Sequence, residues 1–150
     1  MNLQIRKAAK EDASTIAVFN INMAFETEKK VLPEDIINEG VRKMLETPSL
    51  GFYLVAEVDG QIVGSLMVTT EWSDWRNGMF WWIQSVYVTQ RFRKQGIYRS
   101  LYKYVKQLAD GEENVCGFRL YVEKQNTNAQ ETYKKLGMSE TEYYLYEEES

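Results

Sequence analysis

The sequence contains no histidine and only one cysteine among its 150 residues. Without histidine there can be no Ser-His-Asp triad, no Cys-His pair and no imidazole base. Zinc sites that need imidazole ligands are excluded, and one cysteine cannot form a four-thiolate site, so we expect no metal centre. Any acid–base chemistry must therefore use carboxylates, tyrosine, lysine, cysteine, backbone groups or water.

Three other absences narrow the class of protein. The single cysteine, Cys116, excludes an intramolecular disulfide and fits a reducing compartment. No apolar run approaches the roughly 18–20 residues that span a bilayer, and the first residues do not resemble a secretory signal. A net charge of −4 and a pI near 5.0 disfavour nucleic acid as the main partner. We therefore expect a cytoplasmic protein with neither a membrane nor a nucleic-acid partner.

The chain has no internal repeat and no linker, so we expect one domain over residues 1–150. Hydrophobic spacing predicts the element order β-α-α-β-β-β-α-β-α-β, an α/β (α+β) fold with a mixed central sheet flanked by helices. Asp59-Gly60 lies between two apolar β-rich runs, which is a strong hairpin signal. The predicted strands are residues 3–7, 52–58, 61–70, 80–88, 115–122 and 143–146. The predicted helices begin near residues 10 and 33 and cover 94–110 and 127–136.

A buried strand over residues 80–88 leads into a short basic loop, and Gly96 stands near the start of the next helix. The first turn of a helix has unpaired N–H groups and the positive end of the helix dipole, so it favours a phosphate. Glycine would let such a ligand approach the backbone closely. Basic side chains surround it, at Arg91, Arg93, Lys94 and Arg99. A solvated basic helix start is the alternative interpretation.

Ile83-x-x-Val86-x-Val88 followed by Arg93-x-x-Gly96 resembles the strand–loop–helix signature of the GNAT acyltransferase superfamily, which binds the pyrophosphate of acetyl-CoA. The family pattern has Gly or Ala two residues after the glycine, but this chain has Tyr98.

A second stretch supports the same resemblance. Asn126-x-x-Ala129 and then Tyr133-x-x-Leu136-Gly137-Met138 is similar to the second family motif, with Met138 in place of the usual Phe. The predicted order of elements also matches the family topology, so the resemblance covers nearly the whole chain.

The resemblance implies a set of residues that hold acetyl-CoA through backbone and side-chain groups. They are Val86, Tyr87, Val88, Arg93, Lys94, Gln95, Gly96, Ile97, Tyr98, Arg99, Asn126 and Tyr133. Tyr133 aligns with the tyrosine that often protonates the departing thiolate, although it could simply pack on the core. Asn126 is equally suited to cap a helix.

The sequence does not identify the general base, because the central strand has Gln84 and Ser85 where many family members have a carboxylate. Glu26 is favoured as base and as an acceptor-site residue, because the connection between the first two helices usually borders that site in this family. The other candidates are Glu28, Glu71, Asp74 and Glu123. Trp72, Trp82 and Gln84 are expected near the substrate, with packing or a dimer interface as the alternative for the tryptophans.

The resemblance therefore implies an N-acetyltransferase that uses acetyl-CoA. It would transfer the acetyl group to a primary amine of a small molecule, with cationic acceptors favoured, by direct attack in a ternary complex. A homodimer is left open. The alternative is a catalytically silent acyl-CoA sensor on the same fold. A nucleic-acid-binding role for residues 91–99 is the weakest of the three hypotheses.

Overall fold

The computed structural model describes residues 1–150 and contains five strands and four α-helices. The strands are β1 (Leu3–Lys7), β2 (Phe52–Val58), β3 (Gln61–Ser73), β4 (Gly78–Val88) and β5 (Val115–Arg119). The helices are α1 (Ala13–Glu28), α2 (Glu34–Glu46), α3 (Ile97–Asp110) and α4 (Thr127–Lys135). Three short 3₁₀ turns cover Lys10–Asp12, Pro48–Leu50 and Gln90–Phe92.

The strands form one sheet in the order β1-β2-β3-β4-β5. The first four are antiparallel neighbours, whereas β5 is parallel to β4. The hairpin between β2 and β3 turns at Asp59 and Gly60, whose φ angles are 50° and 82°. Both central residues of a type I′ turn need positive φ, which explains the Asp-Gly pair. The mixed sheet flanked by helices confirms the predicted fold class.

Two clusters of buried side chains lie on opposite faces of the sheet. The larger lies on the α3 face, where Leu54, Leu66 and Leu101 are completely buried. The smaller lies under α1 and α2, where Ile16 and Val41 are completely buried. Burying a leucine or isoleucine fully contributes about 1.5–3 kcal/mol, so these two clusters hold β1–β4 and the first three helices together.

A charged cluster joins the start of α1 to the edge of the sheet. Arg6 donates from Nη1 and Nη2 to the carboxylate of Asp12, at 2.7 and 3.0 Å, and from Nε to Glu57 at 2.8 Å. The Ala9 N–H also donates to Asp12. The hydrogen bonds from Arg6 hold the pKa of Asp12 below its ordinary value.

Several element boundaries differ from those predicted. Gly96 is the N-cap of α3, which therefore starts at Ile97 and not at residue 94. β3 continues to Ser73, and β5 ends at Arg119 rather than at residue 122. The predicted strand over residues 143–146 is not formed, because no backbone hydrogen bond joins it to another strand.

Candidate acyl-CoA and acceptor site

β4 and β5 separate halfway along β4. β5 is hydrogen-bonded only to the first part of β4, from Met79 to Trp82. From Ile83 to Val88, β4 pairs with β3 alone, so its other edge has no strand partner. An extended molecule that carries amide groups can bind such an edge as a strand would, because the free N–H and C=O groups need partners.

A bulge in β4 lies at this point. Ser85 has a φ of 53°, in the left-handed region that residues other than glycine rarely adopt, and the pairing with β3 shifts register between Ser65 and Met67. The bulge also changes which residues face α3. Before it, the buried Trp81 faces α3 and Trp82 faces the other way, whereas after it Val86 and Val88 pack on the α3 cluster. The bulge therefore reverses which side chains face α3 along the part of β4 whose outer edge is free.

The N-terminus of α3 lies directly beyond this edge. Gly96 has a φ of 81°, and a Cβ added to it would meet no atom within 4 Å, so the space above it is open. No side chain caps the helix, which leaves the first N–H groups of α3 free for a ligand. The nearby cations Arg91, Lys94 and Arg99 are exposed and form no ion pair. This geometry suits a pyrophosphate, through the helix dipole, free N–H groups and unpaired charge.

Glu26, at the end of α1, is bound to the same loop. Its Oε1 accepts from Nη2 of Arg93 at 2.8 Å and its Oε2 accepts from the Tyr87 hydroxyl at 2.7 Å. Arg93 also donates from Nε to the Val88 carbonyl at 2.8 Å. Partial burial acts to raise the pKa of Glu26, but the bonds from Arg93 and Tyr87 outweigh it and lower the pKa below its ordinary value.

The structure shows Glu26 as an anchor of this loop, and its role as the general base stays a prediction. Both oxygens of Glu26 are occupied, and a carboxylate with a lowered pKa accepts a proton poorly. A groove of about 210 Å³ lies beside it and is lined by Ile21, Asn22, Phe25, Glu26, Lys30 and Val31.

Tyr133, on α4, reaches the N-terminal turn of α3. Its ring packs edge-to-face on Tyr98, with 5.6 Å between centroids, and Tyr98 stacks on Tyr102 at 6.1 Å. Burial raises the pKa of Tyr133, so its hydroxyl keeps its proton at neutral pH. Tyr98 fills the place where the family pattern has a small residue, and its side chain points toward α4 and not over the helix end.

Asn126 is the N-cap of α4, where its Oδ1 accepts from the Ala129 N–H at 3.2 Å. The capping interpretation of this residue is therefore observed in the structure, and a contact with the cofactor stays a prediction. Gln95 is also engaged locally, because its Nε2 donates to the Arg91 carbonyl at 3.1 Å.

A second cluster lies on the face of the sheet opposite α3. Oε1 of Glu71 accepts both from Nε1 of Trp82 at 2.8 Å and from Nη1 of Arg119 at 3.1 Å, which leaves Oε2 without a partner. The Arg119 guanidinium also lies 3.6 Å from the centre of the Phe80 ring. Gln84 donates to the Thr69 hydroxyl at 2.7 Å on the same face.

The structure brings only part of the predicted acceptor set together. Trp82 and Gln84 share this face, and Glu71 joins them. Trp72 is the next residue after Glu71 on β3, so strand alternation directs it to the opposite face, where it is 54% exposed. Glu26 lies at the other end of β4, beside Tyr87.

Two functional features were missing from the sequence-based expectations. Arg119 was not a candidate, although a lone arginine in an apolar strand is a usable signal. The pairing of Glu26 with Arg93 joins residues 67 positions apart, and no local pattern indicates it. The structure contains no group of three or more His, Cys, Asp or Glu side chains arranged to hold a metal ion, and no helix is both long and apolar enough to cross a bilayer.

Comparison with known proteins agrees with this geometry. The profile of the acetyltransferase (GNAT) family matches residues 15–138, and the chain belongs to this family. A possible acetyltransferase from Clostridium difficile 630 is 47% identical, with a TM-score of 0.92 over 100% of this chain and 99% of that one. No curated protein gives a significant match.

Two more distant structures share the fold. A predicted acetyltransferase from Clostridium acetobutylicum, solved with acetyl-CoA, is 18% identical, with a TM-score of 0.79 over 98% of this chain and 96% of that one. An aminoglycoside acetyltransferase from an uncultured soil metagenomic sample is also 18% identical, with a TM-score of 0.76 over 99% and 95% of the two chains.

Proposed function

We propose that the chain is an N-acetyltransferase that transfers an acetyl group from acetyl-CoA to a primary amine of a small cationic molecule. The observation that carries this proposal is the free edge of β4 beside the uncapped N-terminus of α3. The distant relative solved with acetyl-CoA supports the choice of donor. The acetyltransferase for aminoglycosides, which carry several amines, supports the choice of acceptor.

The cofactor-binding residues divide into two groups by the kind of contact they offer. The free backbone of Val86 to Val88 would hold the amide-bearing arm of acetyl-CoA, and the N–H groups of residues 96–99 would hold its pyrophosphate. Arg93 would keep the loop in place, because Glu26 and the Val88 carbonyl fix its guanidinium. Acetyl-CoA supplies an activated acyl thioester when it is bound.

Tyr133 is the residue that we assign to protonate the leaving sulfur. It lies on α4 facing the start of α3, and burial keeps its Oη protonated at neutral pH. A backbone N–H at Val86 or Val88 would polarise the acyl carbonyl, as a preorganised donor does at developing negative charge. The reaction needs no protein nucleophile, because the amine attacks the thioester directly in a ternary complex.

The free Oε2 of Glu71 is the carboxylate oxygen that we assign to the acceptor. Trp82 and Arg119 bind the other oxygen and so hold the carboxylate in place. Glu71 lies five residues along β3 from Leu66, which the bulge places opposite Val86, so roughly 16 Å of strand separates the two positions. Glu71 is therefore too far away to deprotonate the reacting amine, and it suits a second cationic group of the same acceptor.

Release of free thiol from acetyl-CoA, measured with a panel of amines, tests the proposal. We expect turnover with primary amines, and a higher kcat/KM for diamines and aminoglycosides than for matched monoamines. Absence of thiol release across the panel would contradict the proposed activity. Equal kcat/KM for monoamines and diamines would contradict only the assignment of Glu71.

Two substitutions separate the assigned roles. Tyr133→Phe should lower kcat by about 100-fold or more, the usual contribution of a positioned acid, whereas Tyr104→Phe on α3 serves as the control. Glu71→Gln should raise KM for diamines and leave kcat with monoamines unchanged. An unchanged kcat for Tyr133→Phe would remove this residue as the acid.

A silent acyl-CoA sensor is the second candidate. It is favoured by the engaged carboxylate of Glu26 and by Gln84, which leave no free carboxylate beside the free edge of β4. Calorimetry separates the two functions, because a sensor would bind CoA and release no thiol with any amine. If the chain is an acetyltransferase, the acceptor amine must bind in its neutral form or lose its proton to water, because no free carboxylate lies beside this edge.

A further inference from the structure

Tyr98 stands at the second position of α3, where the family pattern has a small residue. Its ring packs on Tyr102, one turn further along α3, and on Tyr133 of α4. Residues four positions apart lie on the same face of a helix, so the ring is directed along α3 and toward α4. The large side chain therefore adds a contact between two helices, which glycine or alanine at this position would not make.

The ring of Tyr98 belongs to a continuous row of five aromatic side chains. Trp81 on β4 packs on Phe118 of β5 with 6.5 Å between the ring centroids, and Phe118 packs on Tyr102 at 6.3 Å. Tyr102 stacks on Tyr98 at 6.1 Å, and Tyr98 packs edge-to-face on Tyr133 at 5.6 Å. All four distances are typical of favourable aromatic pairs. This aromatic row links the main core to Tyr133.

α4 itself offers little else that could hold Tyr133 in place. No residue of α4 is buried, and Tyr133 is its one large apolar side chain. The side-chain hydrogen bonds in and beside α4 are made by Asn126, Gln130 and Thr132, and not by Tyr133. Tyr98 is also the one aromatic ring on which Tyr133 packs. The position of the Tyr133 hydroxyl therefore depends on the ring of Tyr98.

The ring of Tyr98, and not its hydroxyl, makes this contact. The hydroxyl oxygen is buried and has no hydrogen-bond partner, so it forms no bond that would fix α4. Burial and the neighbouring phenols of Tyr133 and Tyr102 raise the pKa of Tyr98, so its hydroxyl stays neutral at neutral pH. A phenylalanine at position 98 should consequently keep a contact that an alanine would lose.

We propose that Tyr98 is a positioning residue, which holds the Tyr133 hydroxyl where the sulfur of CoA departs. The proposal rests on the proposed acetyl transfer, in which Tyr133 gives its Oη proton to the sulfur as the bond between sulfur and acyl carbon breaks. The effect of Tyr98 on catalysis then passes through Tyr133 alone. It concerns kcat and not the affinity for acetyl-CoA, because the Tyr98 side chain is directed away from the helix end.

Release of free thiol with a primary amine, measured in matched variants, tests the proposal. Tyr98→Ala should lower kcat about 10-fold or more, because a displaced acid donates its proton poorly, and should leave KM for acetyl-CoA nearly unchanged. Tyr98→Phe should keep kcat near that of the wild type. Tyr104→Ala removes an equally large ring from α3 outside the aromatic row, so it is the matched control and should also keep kcat.

The same substitution in a chain that lacks the acid separates positioning from a general disturbance of the fold. In Tyr133→Phe, the further change Tyr98→Ala should cause no additional loss of kcat, because the hydroxyl that it positions is absent. An equal loss of kcat with and without the Tyr133 hydroxyl would overturn the proposal. A loss confined to KM for acetyl-CoA would also overturn it, since Tyr98 would then act on the cofactor.

Backbone hydrogen exchange tests the same contact without turnover. Amides of α4 should exchange faster in Tyr98→Ala than in the wild type or Tyr98→Phe, whereas those of β2 should not change. Tyr98→Leu, which keeps much of the side-chain volume, gives the same test if Tyr98→Ala does not fold. Unchanged exchange in α4 would overturn the proposal. If the wild type released no thiol with any amine, the proposed acetyl transfer would fail, and exchange in α4 would still show whether Tyr98 holds this helix.

Discussion

The first 109 residues and the last 41 are built differently, although both contribute strands to one sheet. Every buried residue lies in the first part, where two clusters pack on the two faces of β1–β4. In the last part, Phe118 of β5 and Leu136 just after α4 pack on the edge of the α3 cluster, and residues 143–146 are exposed. The free edge of β4 and the start of α3 lie where the two parts meet.

Because of this difference, the two sides of the cleft between β4 and β5 are packed with different firmness. α3 and β4 are fixed by the main core, so the N–H groups that would bind pyrophosphate are held in position. β5 and α4 are fixed less firmly, and they carry Arg119 and Tyr133 on the other side of the cleft. The proposed cofactor site therefore has one wall that belongs to the main core and one wall that is packed only on its edge.

Matched leucine truncations give the largest expected effect. Leu66→Ala removes a completely buried side chain in the main core and should lower the free energy of unfolding by about 3–5 kcal/mol. Leu120→Ala, the same change just after β5, should cost less than half as much, because this side chain is only partly buried. Urea denaturation of both variants measures the difference, and equal losses would contradict the division into two parts.

The charged cluster at the start of α1 gives an intermediate effect with a pH dependence. The pKa of Asp12 is lowered in the folded chain, so its contribution to stability is fully present above the ordinary carboxyl pKa and is lost as pH falls through the folded value. Asp12→Asn should cost about 2 kcal/mol at pH 7, as hydrogen bonds to charged groups do. Its stability should also change less between pH 7 and pH 3 than that of the wild type. A parallel pH dependence in both proteins would remove Asp12 as the cause.

Tyr98 gives an effect of the opposite sign. Its hydroxyl is buried and has no hydrogen-bond partner, a situation that costs about 1–3 kcal/mol. Tyr98→Phe should therefore raise the thermal midpoint of the protein without ligand, while the ring keeps its contact with Tyr133. Thermal unfolding followed by circular dichroism measures the shift, with Tyr104→Phe as the control. A lower midpoint would show that the hydroxyl has a partner in solution.

Local patterns predicted most of the elements because their causes are local. Alternation located the strands, Asp59-Gly60 located the hairpin, and Gly96 marked the start of a helix. The motif around Gly96 predicted a phosphate site, and the geometry of α3 is compatible with it.

Contacts between distant residues account for what the sequence could not show. Ser85 adopts a positive φ although the residues around it in the sequence do not indicate a bulge. Glu26 looked like a free loop carboxylate until the fold brought Arg93 and Tyr87 to its two oxygens. The segment 143–146 has the composition of a strand, but a strand also needs a partner, and no backbone hydrogen bond joins this segment to one.

Backbone hydrogen exchange with and without acetyl-CoA tests the central claim, that the cleft between β4 and β5 is the acyl-CoA site. The claim predicts that acetyl-CoA slows exchange at residues 84–88, where one edge of β4 has no strand partner, and at residues 96–99, in the uncapped first turn of α3. Exchange in β1 and β2 should not change, because these strands lie at the far side of the sheet. Unchanged exchange at residues 84–88 and 96–99 under saturating acetyl-CoA would contradict the claim.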